Sequence, residues 1–180
     1  MRHSSIALGG VALTAATLTW TTGSWIQVRR VREVGPLVFV RFGLFVIACG
    51  IGLMIAVAQS VVPSTIAVVA WGVAGLGMGI AYAPLSLVVL DQAAPGSEGT
   101  ATAALQLSDT LGVALGTGVA GAIVAAGESL DWTRATALTF AFALSALVAL
   151  ATAVGAKRLP AHIHQHDDDA ALERGQTSGM

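Results

Sequence analysis

Apolar positions run almost unbroken from Arg41 to Asp91, where about fifty consecutive residues include no Asp, Glu, Lys, Arg or His. A helix crosses the hydrocarbon core of a bilayer with about 20 apolar residues, so this stretch has the length of two crossings. Lipid is therefore the solvent against which every other residue is read. Along the whole chain the same pattern predicts five spans, at about Ile6–Ile26, Leu37–Ala58, Thr65–Leu90, Thr100–Ala126 and Ala135–Ala156. Each is expected to be helical, because a lone non-helical segment would leave backbone N–H and C=O groups unpaired in lipid. The second and third spans are parted by Gln59-Ser60-Val61-Val62-Pro63-Ser64. Pro63 suits the first turn of the next helix, where its missing N–H costs nothing. The fold class is all-α, with a membrane region over residues 1–157. Residues 158–180 are polar and poor in bulky apolar groups, so a disordered cytoplasmic tail is expected there.

Composition agrees with this picture and removes alternatives. Charged residues make up 11% of the chain, against about 25% in soluble domains, so a water-facing shell cannot be built. No basic face or patch interleaved with aromatics exists, which argues against nucleic-acid binding. Cys49 is the only cysteine, so no internal disulfide forms, and its apolar setting makes it a small packing residue. The start Met1-Arg2-His3 before an apolar run mimics a secretory signal. The uncharged stretch Ser4–Val28 is long, however, and Trp20 and Trp25 stand where small cleavage-site residues belong. A retained first span is expected.

The few charges orient the spans. Arg29, Arg30 and Arg32 follow the first span, Arg41 comes soon after, and Lys157-Arg158 follow the last. The connection around Pro63 has no charge, and the one around Glu128 and Asp131 has only Arg134. Positive loops stay in the cytoplasm, so the Arg29 connection, the Asp91–Gly99 loop and the C-terminus are placed there, with Met1 outside. The expected location is the plasma membrane, multi-pass. In the tail, His162, His164 and His166 precede Asp167-Asp168-Asp169. These are competent metal ligands, but a flexible tail supplies no preformed geometry, so a solvated terminus is expected, with no metal and no cofactor.

Three spans carry polar or small residues at intervals of three and four, which share one helix side. They are Thr14, Thr17, Thr21 and Ser24 in the first; Gly72, Gly75, Gly79, Tyr82 and Ser86 in the third; and Thr102, Gln106, Asp109, Gly112 and Gly116 in the fourth. The second and fifth lack such a stripe. Three inner helices and two peripheral ones are therefore expected. Gly75-x-x-x-Gly79 and Gly112-x-x-x-Gly116 permit close backbone approach, so helix packing is their expected role ahead of substrate contact. Asp109 lies about 15 Å along its span, near mid-bilayer. An ionised Asp there costs about 2.5 to 3.5 kcal/mol on insertion scales, so it faces water, meets a partner or takes a proton. Two roles stay open: a proton-coupling or cation-contacting carboxylate, and a structural carboxyl satisfied by Gln106, Thr110 or a neighbouring helix.

The string Ala94-Pro95-Gly96-Ser97-Glu98-Gly99-Thr100, continued by Ala101–Gln106 and Leu111-Gly112-Val113-Ala114-Leu115-Gly116, resembles the approach to the penultimate span of major facilitator superfamily drug:proton antiporters. Gly23-Ser24-Trp25-Ile26-Gln27-Val28-Arg29-Arg30 resembles the basic cytoplasmic loop in the C-terminal half of that family. The resemblance extends over about Ile6–Ala156. It implies two six-span bundles around a central cavity, worked by alternating access, with these spans as the last five of the C-terminal bundle. Two departures matter. The family loop has an acidic residue where Gln27 stands, and the N-terminal bundle and one further span are missing from this sequence.

The expected function is transmembrane transport, as a C-terminal fragment or half of a major facilitator-type exporter of small amphipathic compounds, coupled to protons. Its expected partners are the lipid bilayer, an N-terminal helical bundle from the same parent chain or a separate subunit, and a small-molecule substrate. Asp109, Gln106, Tyr82, Thr14 and Thr21 are the candidate pathway residues. Arg29, Arg30 and Arg32 form the cytoplasmic basic loop. The alternative is a non-transporting scaffold that binds another subunit through its glycine faces. An enzyme is not expected, since no intramembrane His, carboxylate pair or nucleophile–base set is present.

Overall fold

A computed structural model describes residues 2–156, with the side chains of residues 2–5 and of Arg32 outside that description. The predicted tail therefore lies outside the described residues. Five helices make up the fold: α1 (Arg2–Val34), α2 (Pro36–Ala58), α3 (Ile66–Asp91), α4 (Glu98–Ser129) and α5 (Arg134–Gly155). All five are long and apolar enough to cross a bilayer, and no strand occurs among the described residues. The architecture is that of a multi-pass, all-helical membrane protein.

Helix ends follow local chemistry. The expected loop carrying Arg29, Arg30 and Arg32 is corrected: these residues belong to the last turns of α1, which continues to Val34. Nothing between Val28 and Val34 breaks a helix. Gly35 does, with φ 87 and ψ 150, a conformation essentially restricted to glycine. Pro36 then starts α2 at a position where proline is preformed for a helix. One residue thus reverses the chain. At the other connections, Glu98 Oε1 accepts from Gly96 N–H at 3.1 Å, and Thr133 Oγ1 accepts from Thr136 N–H at 3.2 Å. The second satisfies a donor that the start of α5 leaves unpaired, and the first fixes the turn before α4. Trp132 stacks on Phe140 at 4.9 Å between ring centroids, closing the α4–α5 turn.

Packing is centred on α3, which lies against α1 on one side and α2 on the other. Small residues make this possible. A Cβ on Gly75 would strike the Ala16 carbonyl, and one on Gly79 the Trp20 carbonyl; one on Gly23 would sit 2.5 Å from the Leu76 carbonyl oxygen. On the opposite side, a Cβ on Gly77 would lie 2.6 Å from the Gly43 carbonyl oxygen, and Gly50 faces Ala70 and Ala74. Backbones therefore approach as they do at small-xxx-small seams in lipid. The matched levels rise together in α1 and α3 and oppose each other in α2 and α3, as serial crossings require. Gln59 at the end of α2 donates from Nε2 to Thr139 Oγ1 near the start of α5 at 2.9 Å, so this pair is antiparallel too.

The expected ranking of helices is also corrected. α2 is flanked by both α3 and α5, whereas α4 leans mainly on α5, touches α3 lightly, and makes no contact with α1 or α2. Gly127 is the only buried residue of α4. The cause is that α2 packs through Gly43 and Gly50, seven residues apart. This heptad pair is invisible to a search for polar stripes.

Candidate functional site

The α1 stripe divides: Thr17 and Thr21 border a trough beside the α1–α3 seam, whereas the Ser24 hydroxyl donates across the seam to the Gly79 carbonyl at 3.4 Å. Thr17, Thr21 and Trp20 of α1, Trp71 and Met78 of α3 and Ile47 of α2 border a cavity of about 660 Å³. That is within the range of small-molecule sites. Tyr82 adjoins it through Trp20, with ring centroids 6.2 Å apart and planes tilted by 54°. The Thr17 hydroxyl donates to the Leu13 carbonyl and the Thr21 hydroxyl to the Thr17 carbonyl, each at 3.0 Å. Both hydroxyl hydrogens are thus engaged by their own helix, and the oxygens offer lone pairs. The trough therefore presents π faces and acceptors, suited to a flat apolar molecule carrying N–H donors or a diffuse positive charge. Thr14 lies on the exposed side of α1, its hydroxyl donating to the Gly10 carbonyl at 3.0 Å, and does not border the trough.

The α4 stripe is elsewhere. Gln106, Asp109, Gly112 and Gly116 are all exposed, and a Cβ on either glycine would meet nothing within 4 Å. Asp109 has no hydrogen bond or ion pair among the described residues. The nearby Thr110 hydroxyl donates instead to the Gln106 carbonyl at 2.9 Å. The structure therefore separates the five pathway candidates. Thr21 lines the α1–α3 trough, Tyr82 reaches it only through its ring contact with Trp20, Thr14 does not border it, and Gln106 and Asp109 stand on an open face of α4, a helix that does not touch α1. The packing candidates separate likewise: Gly72, Gly75 and Gly79 are buried in α3, most closely against α1, while Gly112 and Gly116 contact no neighbouring helix.

At the end of α1, the Arg29 guanidinium lies 3.6 Å over the Trp25 ring, a cation–π pair that keeps the charge at the helix surface. Arg30 is exposed beside it. Two residues of this region escape the sequence stripes. Thr19 donates to the Gly72 carbonyl at 2.7 Å, linking α1 to α3, and Gln27 is fully buried with neither side-chain amide atom hydrogen-bonded. Both belong to the row Ala12, Ala16, Thr19, Gly23, Gln27. Its three- and four-residue spacing marks the face of α1 that meets α3, one strip over from the threonines. No group of three metal-ligating side chains occurs among the described residues; the His-rich tail lies outside them. Compared with known protein families, curated proteins and solved structures, the chain matches none.

Proposed function

We propose that the chain is part of a major facilitator-type exporter that moves small amphipathic compounds across the plasma membrane against protons, with its C-terminus in the cytoplasm. The observation that carries this reading is Asp109. It sits about 16 Å along α4 from Glu98, inside the apolar span, and has no partner among the described residues. A carboxyl group there is not left to hydrocarbon; it faces a water-filled pathway or another helix, or it holds a proton. Further helices covering α4 would turn Gln106 and Asp109 into a lining. The α1–α3 trough, apolar and aromatic with the Thr17 and Thr21 hydroxyls at its edge, suits the apolar ligand such a pathway carries.

The test is reconstitution of the full chain, with any helical subunit that co-purifies, into proteoliposomes loaded at acid pH. Ethidium, a flat apolar cation, serves as probe. The account predicts uptake that follows the proton gradient and falls at least tenfold in Asp109→Asn. Uptake with an unchanged pH dependence in that variant would refute proton coupling through Asp109. A scaffold role is favoured by one observation, the open Gly112–Gly116 row, and would appear as stable capture of a partner helix without any gradient-driven uptake.

A further inference from the structure

Gln27 is the largest fully buried side chain of the described residues, and both ends of its amide lack a hydrogen-bond partner. A buried amide left unpaired is costly, more so than an apolar side chain of the same shape. Pro84 lies inside α3 and is also fully buried. Proline has no N–H, so the Ile80 carbonyl lacks the donor that position 84 would otherwise supply. In a lipid setting such a freed carbonyl is normally satisfied by a side chain of a neighbouring helix or by water.

The register of the α1–α3 seam brings the two together. A Cβ on Gly23 would lie 2.5 Å from the Leu76 carbonyl oxygen and 3.1 Å from the Ile80 nitrogen. The helices run parallel, so one turn on from Gly23 is Gln27, and one turn on from Ile80 is Pro84. Helix carbonyls point toward the C-terminus, which sets the Ile80 oxygen at the level of Gln27. The seam between them is lined by Gly75, Gly79 and Gly23 and is held in register by the Thr19 and Ser24 hydroxyls, which donate to the Gly72 and Gly79 carbonyls.

We propose that Gln27 is the hydrogen-bond partner of the Ile80 carbonyl freed by Pro84, forming a polar latch between α1 and α3. In the present arrangement the latch is open. A turn of the side chain closes it by bringing Gln27 Nε2 to the Ile80 oxygen. Gln27 is thus a positioning residue for the Pro84 turn of α3, and its role does not depend on transport or on Asp109.

The test is a double-mutant cycle on the full chain in nanodiscs, read by thermal unfolding. Gln27→Leu is expected to lower Tm by several degrees when Pro84 is present. In Pro84→Ala, where residue 84 donates to Ile80 itself, the same substitution is expected to leave Tm unchanged or raise it. Equal shifts in both backgrounds, or a larger loss in Pro84→Ala, would overturn the latch. Should Pro84→Ala not insert, infrared spectra of protein with ¹³C-labelled isoleucine carbonyls decide the matter. A free-carbonyl component is expected to grow in Gln27→Leu relative to the parent, and identical spectra would overturn the proposal.

Discussion

A Cβ placed on Gly79 runs into the Trp20 carbonyl, whereas one placed on Gly112 meets no atom within 4 Å. Two glycines in similar G-x-x-x-G rows therefore do different work within this chain. Forcing a methyl group into a close-packed seam costs about 1 to 3 kcal/mol, so Gly79→Ala is expected to lower the unfolding temperature in detergent measurably. Gly112→Ala is expected to be neutral or stabilising, by up to about 1 kcal/mol, because alanine is the better helix former. Equal losses from both substitutions would show that α4 is packed as tightly as α3. At this scale the sequence is partly legible. Spacing alone finds Gly75 and Gly79, but it cannot tell an occupied row from an open one, since that depends on which helix lies opposite. It also passes over Thr19 and Gln27, whose row is offset from the more conspicuous threonines by part of a turn.

Among the elements, the sharpest feature is the joint between α1 and α2. Uninterrupted apolar length makes the positions of α2 to α5 legible, because hydrocarbon thickness sets a minimum that composition meets plainly. The end of α1 is harder to place. Arg29, Arg30 and Arg32 suggest a loop by charge, yet all three are good helix formers, and only Gly35-Pro36 stops the helix. Gly35 is buried at φ 87, so Gly35→Val is expected to cost about 1 to 3 kcal/mol and to loosen the α1–α2 hairpin, measured as faster proteolysis at that joint. Wild-type resistance in the variant would contradict the reversal described. Cys49, exposed on the middle of α2, is a native probe of the same geometry. Its thiol is expected to resist a membrane-impermeant maleimide in sealed vesicles and to react once detergent unfolds the protein.

For the molecule as a whole, the helices alternate in direction and rest on one another as a stack of α1, α3, α2, α5 and α4. Such an order buries small residues between backbones while leaving large side chains such as Leu18, Phe45, Leu115 and Leu147 more than half exposed. In water this would be an untenable surface; in hydrocarbon it is the expected one. The placement of Asp109 and of the open α4 face draws its meaning from that solvent, as does the search for a partner for the Ile80 carbonyl. The most direct measurement is fractionation of cells producing the full chain. After an alkaline carbonate wash the protein is predicted to remain in the membrane pellet and to enter solution only with detergent. Recovery as a monodisperse particle in detergent-free buffer would contradict the account.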